Sequence, residues 1–544
     1  MDRSELKRLW SDLYPGEEEV FGDLSAFLEA ARDAMRGAAA SSAAAGASGA
    51  AADPVPELPF DCDGSVYCLY PDAFGGGLDG ATARMDYFAE LGAKTLWVLP
   101  VLRSPGRDQG FDISDYRAVD ERFGGNEAFA RFLAAARGRG LQTIFDVAVN
   151  HCSDAHPWFL DAVSDPASPY RDFFIWSDDD RRYAKAPLVF RGMVDSNWTW
   201  SEAAGAYYFH RFYPFQPDLN YANPRVAAEM IKILAEWKLK GVGGFRMDAA
   251  VMLWKREGTD CESLPEVHKI LRIFRACLDV LSPGTLLLAE ANQSVPGLLP
   301  YFGKGDECRA AYHFPLMPRL WQALAEESPR RLTEVDIPPL PEGCAWFTFL
   351  RVHDEVTLDV IPAAERRALV EAFAGSGQRL FRGGDAFSGR LFDLLGRNPE
   401  RAVLAFALLL ALPGTPVLYY GDEIGMVDNA EYFERTAAAT GFRDSRFLNR
   451  GPFDETRAAA AVSDPSTPEG RVYRAVGSLF RLRAKETALF LERPRLRVDG
   501  PVLISTREKD GRRLEIKCNL AGREARSLTR RFRGYESLWE IIEE

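Results

Sequence analysis

Eight short apolar runs, alternating with helix-patterned stretches, constrain the fold of this chain more than any other feature. The runs occupy residues 65–70, 95–100, 142–149, 242–248, 285–290, 311–314, 345–350 and 416–420. Helical stretches over 80–91, 126–139, 225–240, 266–281 and 400–411 separate several of them. Eight strands in alternation with helices is the count for a closed (β/α)8 barrel rather than an open sheet. The rhythm breaks once. Residues 151–224 are rich in Asp, Pro, Trp and Tyr and offer no long apolar helix. A small subdomain is therefore expected as an insertion after strand 3.

The expected organisation is α/β: a TIM barrel built from 53–150 and 225–463, with an inserted subdomain B over 151–224. Residues 464–544 read as a linking helix (471–485) followed by a C-terminal β-domain, from the alternating segments 501–505 and 513–517. At the other end, Leu6, Leu9, Trp10 and Leu13, then Phe21, Leu24, Phe27, Leu28 and Ala31, recur at spacings of three and four. Residues 1–52 thus form a short N-terminal helical extension ending in a linker, since 38–52 is almost wholly Ala, Ser and Gly.

The net charge of −13 argues against nucleic acid or an anionic membrane as partner, because both reward surplus Lys and Arg. No run of 18 apolar residues exists to span a bilayer, and the charged start Met1-Asp2-Arg3-Ser4-Glu5 has no secretory apolar region. Eight scattered cysteines without a CxxC read as free thiols. A cytoplasmic protein acting on a small molecule is the expectation; the sequence carries no sign of an oligomeric state.

Chemistry gathers at the strand ends. Residues two apart on a strand share a face, so Arg246 and Asp248 of Gly241-Val242-Gly243-Gly244-Phe245-Arg246-Met247-Asp248 project together. The third run ends Asp146-Val147-Ala148-Val149-Asn150-His151, the fifth at Glu290, and the seventh continues into His353-Asp354-Glu355. Four strands thus deliver Asp, Glu, His and Arg to one rim, whereas a barrel interior is otherwise filled by branched apolar side chains. This is an acidic pocket. No phosphate loop, HExxH metal set or GxSxG elbow is present. Carboxylates with histidines and aromatic walls equip a protein for glycoside cleavage, one acid attacking the anomeric carbon and a second, with raised pKa, protonating the leaving oxygen.

The segments 146–151, 244–248, Glu290 and His353-Asp354 resemble the four signature segments of the α-amylase superfamily of retaining glycoside hydrolases and transglycosylases, over about residues 60–480. The resemblance implies Asp248 as nucleophile, Glu290 as general acid/base and Asp354 as the third carboxylate, gripping sugar hydroxyls. It further implies that Arg246 keeps the nucleophile ionised and that His151 and His353 bind hydroxyls. Asp108 matches an aspartate that pairs with an arginine, here Arg446, to wall off a pocket for one terminal glucose. Phe111 stands where relatives place a stacking tyrosine, and Phe212 and Gln216 match acceptor-side positions. No catalytic metal or other cofactor is implied; a structural Ca2+ held by Asn150 and neighbouring inserted-domain acids is allowed.

Two branches are resembled. Ser196-Asn197-Trp198-Thr199-Trp200, Arg256-Glu257-Gly258-Thr259-Asp260 and 288–293 look like the trehalose synthase branch, which acts on short α-glucosides. The block Asp444-Ser445-Arg446 instead resembles amylosucrase. The first expectation is transglucosylation or isomerisation of a short α-glucoside through a β-glucosyl-enzyme. The alternatives are an amylosucrase-like or sucrose-hydrolysing enzyme, a hydrolytic α-glucosidase, and, more remotely, a non-catalytic barrel.

Overall fold

The computed structural model describes residues 3–44, 60–375, 377–527 and 530–543. Eight parallel strands close into a barrel: β1 (Ser65–Leu69), β2 (Ala93–Val98), β3 (Gln142–Ala148), β4 (Gly244–Asp248), β5 (Leu286–Ala289), β6 (Ala310–Tyr312), β7 (Ala345–Phe349) and β8 (Thr415–Tyr419). Each overlaps an apolar run of the sequence, with its ends within two residues of those of the run. Neighbours in space follow chain order around the ring, and β8 closes on β1 through Val66 opposite Val417. Gly244 permits the tight approach of β4 to β5, since a Cβ there would lie 2.5 Å from the Leu286 carbonyl oxygen.

The helix expected over 80–91 is instead two short pieces, Leu78–Thr82 and Met85–Leu91. The apolar stripe is divided between them, Leu78 and Ala81 burying from the first and Met85, Phe88 and Leu91 from the second. In the inserted region a short helix (Pro157–Ser164) precedes a three-stranded antiparallel sheet whose central strand is Ala206–Phe209. A four-stranded antiparallel sheet, β9 (Arg495–Asp499), β10 (Val502–Lys509), β11 (Arg512–Asn519) and β12 (Ser537–Glu543), ends the chain.

Helices α1 (Arg3–Leu13) and α2 (Glu18–Ala44) break at Pro15-Gly16, where Gly16 takes φ +87°. They lie on the barrel's outer helices α3 (Pro224–Leu239) and α4 (Pro265–Leu281). Leu6, Trp10, Phe21, Leu24 and Leu28 are buried there, and the Tyr14 hydroxyl donates to the Tyr221 carbonyl at 2.9 Å. The extension is thus docked. The Ala-rich stretch runs helically to Ala44, and the remainder of the expected linker lies outside the described residues. No helix among the described residues is long and apolar enough to cross a membrane, and all eight cysteines are unpaired.

Candidate active site

Parallel closure places the C-terminal ends of all eight strands at one rim, and the cavity there is lined by Asp108, Phe111, His151, Phe212, Arg246, Asp248, Glu290, Asp354 and Arg446. Nine of the eleven residues singled out from the sequence therefore face one space. Gln216 and His353 stand behind the lining. Gln216 Nε2 donates to Asp108 Oδ2 at 3.1 Å and lies 3.3 Å from His151 Nε2, so it braces two wall residues. His353 stacks on Phe111 with ring centroids 5.3 Å apart, and its Nε2 is 3.0 Å from Asp354 Oδ2.

The centre of the site is one guanidinium. Arg246 Nη1 contacts Asp248 Oδ1 and Nη2 contacts Glu290 Oε1, both at 2.6 Å, while Nε lies 3.5 Å from Asp146 Oδ1. Asp146 is held in turn by the Trp97 indole N–H at 3.0 Å. The Ala249 amide donates to Glu290 Oε2 at 3.0 Å, from a residue in the left-handed region at φ +51°. Such backbone costs of the order of 1–3 kcal/mol and persists where surroundings fix it. Here it follows Asp248 directly and aims an N–H at Glu290.

Burial pushes the Glu290 carboxyl up to about 8, against the lowering effect of Arg246 and with Asp248 and Asp354 adding to the rise. Burial acts in the same direction on Asp354, but the His353 ring and the guanidiniums of Arg446, Arg450 and Arg246 outweigh it and hold Asp354 well below the usual carboxylate range. Two neighbouring acids are thereby driven apart, one toward the neutral form and one toward the charged form, which is the pattern that separates acid from base roles. Burial also lowers both His151 and His353, against the raising effect of Asp248 on the first and of Asp354 on the second. Their Nδ1 atoms are buried without a protein partner, as are no other histidine Nδ1 atoms among the described residues.

The expected Arg446–Asp108 ion pair forms, as a longer contact than the one to Asp444. The Arg446 fork is taken by Asp444, with Nε 2.9 Å and Nη2 2.6 Å from Oδ2, and only a 3.4 Å contact reaches Asp108. Arg446 is a hub, because Nη1 also lies 3.2 Å from Asp354 Oδ1. Asp444 caps the short helix Ser445–Asn449, so its side chain reaches the Arg446 amide and its guanidinium at once. Arg450 went unnoticed in the sequence. Its Nη2 meets Asp354 Oδ1 at 3.2 Å and its Nε donates to the His353 carbonyl at 3.0 Å. Arg450 is the residue that ends the short 3-10 helix Ser445–Asn449, and its spacing from Arg446 gave no signal of a shared face.

The donors around Asn150 do not fit a calcium ion. Lys255 Nζ donates to Asn150 Oδ1 at 2.7 Å and pairs with Asp218 Oδ2 at 2.8 Å, both fully enclosed. A covalently attached cation already neutralises the charge that a bound metal would balance. No cluster of three or more metal-ligating side chains occurs among the described residues.

A closed (β/α)8 barrel carrying Asp, Glu and Asp at the ends of β4, β5 and β7, with an arginine two residues before the first, defines a class. This chain belongs to the α-amylase family, whose catalytic domain matches residues 36–346. Among curated proteins it is 42% identical to the trehalose synthase of Pimelobacter sp. (strain R48) over 382 residues, 68% of this chain and 66% of that one. It is 44% identical to the trehalose synthase/amylase TreS of Mycolicibacterium smegmatis over 359 residues, 65% of this chain and 60% of that one. The chain thus spans less than two thirds of these relatives' lengths. Two solved structures share the fold. The sucrose 6F-phosphate phosphorylase of Thermoanaerobacter thermosaccharolyticum superposes with a TM-score of 0.75 at 19% identity, covering 89% of this chain and 96% of that one. The isomaltulose synthase of Klebsiella sp. LX3 gives 0.64 at 22% identity, covering 85% and 91%.

Proposed function

We propose that this chain is a retaining transglucosylase of short α-glucosides that converts maltose to trehalose through a β-glucosyl-enzyme. The observation that carries the mechanism is the single Arg246 guanidinium bridging Asp248 and Glu290. One guanidinium touching both groups keeps the two carboxyls close, in keeping with the ~5–5.5 Å of a retaining pair. Asp248 attacks the anomeric carbon, held in place by its 2.6 Å contact with Arg246. Glu290, protonated at neutral pH, gives its proton to the leaving oxygen and then takes one from the acceptor hydroxyl. Asp354, charged, binds hydroxyls as the ring gains oxocarbenium character. Asp108 and Arg446 enclose the terminal glucose. The trehalose synthase relatives support the substrate class.

An amylosucrase-like reading rests on Asp444-Ser445-Arg446, whose arginine touches both Asp108 and Asp354. Incubation with maltose and with sucrose, followed by product analysis, separates the two. Trehalose from maltose is expected. Fructose release from sucrose without trehalose formation favours the second reading, glucose alone from maltose a hydrolase, and inertness toward both the non-catalytic barrel.

We also propose that the protein needs no metal ion and works in the cytoplasm, where its eight thiols stay reduced. EDTA is expected to leave activity and Tm unchanged. Lys255→Met is expected to destabilise by about 3–5 kcal/mol, the cost of leaving a buried charge such as Asp218 unpaired. Loss of activity on chelation, restored by Ca2+, would reverse this.

A further inference from the structure

A small hairpin outside the barrel reaches the mouth of the cavity. Leu380–Phe381 pairs antiparallel with Ala386–Phe387, and the Val356 amide ties its base to the Phe387 carbonyl at 2.7 Å. Its tip runs through Arg382, Gly383 and Gly384 at φ +48°, +68° and +95°. Three successive left-handed residues are unusual, and for arginine the conformation is strained. Phe381 is buried edge-to-face against Phe190 of the inserted region, with centroids 6.2 Å apart, and the Arg446 guanidinium lies beside the pair, 5.0 Å from Phe381 and 5.3 Å from Phe190. Arg382 lines the cavity, with Nη2 3.2 Å from Glu355 Oε1 and Nη1 2.5 Å from Asp359 Oδ2. Its Nε is buried without a hydrogen-bond partner.

We propose that this hairpin is the wall that retains the cleaved sugar: Phe381, packed on Phe190 beside Arg446, keeps water out, and Arg382 holds the departed sugar for its return. The inference rests on the transglucosylation reading and names the element that makes transfer outrun hydrolysis. In the second half-reaction the bond from the anomeric carbon to Asp248 Oδ breaks as an acceptor oxygen bonds to that carbon, and the acceptor's proton passes to the Glu290 carboxylate. Water and a sugar hydroxyl complete this step with identical balance. The outcome depends on which stands in the cavity. Two protein segments far apart in sequence meet over the pocket where Phe381 and Ala386 join Phe190, Val194 and Tyr213 in one small buried cluster beside the Arg446 cation. Loosening it admits solvent while leaving the carboxylates in place.

The test uses the full chain with maltose in medium containing isotopically labelled glucose. The wild type is expected to form trehalose with little label, because the cleaved glucose never leaves. Phe381→Ala and Arg382→Met are each expected to raise both the ratio of free glucose to trehalose and the incorporation of label by about 5-fold or more, as exclusion of water and retention fail. Phe381→Leu, which keeps an apolar group, is expected to fall between and guards against misfolding of the alanine variant. Unchanged ratios in folded variants of a trehalose-forming wild type overturn the role of the hairpin alone. A wild type that only hydrolyses maltose overturns the transglucosylation reading, and this inference with it.

Discussion

Asp248→Asn is expected to lower kcat/KM on maltose by about 10^4-fold or more, roughly 5.5 kcal/mol of transition-state stabilisation. An amide does not attack the anomeric carbon, so the covalent route closes whatever the rest of the site does. What remains is acid assistance from Glu290 and enclosure of the sugar. The substitution nearly conserves shape, and Arg246 keeps Glu290 at 2.6 Å and Asp146 at 3.5 Å as partners. Fold and sugar binding should therefore survive, with little change in Tm. A slow-turnover fluorinated glucosyl donor should label the wild type on the peptide carrying Asp248 and leave the variant unlabelled. Turnover within 10-fold of wild type, or a label on another residue, would remove Asp248 from the reaction.

Much of this site was legible because a parallel barrel sorts its own chemistry. Once eight strands are placed, their C-terminal residues fall on one rim, so Asp248, Glu290 and Asp354 needed no tertiary information to be grouped. Arg246 followed from the two-residue period of β4. Contacts set by loop geometry were not legible in the same way. Asp444 and Asp108 both offered Arg446 a carboxylate, and the shorter contact fell to Asp444 because it caps the same short helix, a local arrangement fixed only once the helix exists. Lys255 lies in a loop seven positions after Asp248, where a lone lysine reads as solvated surface, yet it is buried against Asn150 and Asp218. Nothing in the spacing of Arg382-Gly383-Gly384 placed it over the cavity. The placement of Gln216 and His353 behind the lining likewise depends on rotamers that spacing leaves free.

The Glu290→Gln variant isolates acid catalysis from nucleophilic attack. Because burial pushes Glu290 up to about 8, the wild-type acid is protonated at pH 7 and loses its proton as pH rises. A general acid works only in its protonated form, so kcat/KM on maltose should be level through neutrality and fall on the alkaline side with an apparent pKa near that value. Asp354, held far below the usual range, stays charged throughout and contributes nothing to this limb. Glutamine fixes a neutral side chain that keeps a carbonyl oxygen for Arg246 and has no acidic proton to transfer. On maltose the loss should be about 10^3-fold, within the range for removing a general acid, and the alkaline limb should vanish. On an aryl α-glucoside whose phenolate leaves without assistance, the first step should survive. The second step still lacks its base, so the variant should release a burst of phenol equal to the enzyme present and then stall as a glucosyl-enzyme. Equal losses on both substrates would show that Glu290 acts on binding rather than on the leaving group. A persisting alkaline limb would assign the titration to another group at the rim, with Asp108, pushed up to about 7 by burial and drawn back by Arg446 and Arg450, the next to test.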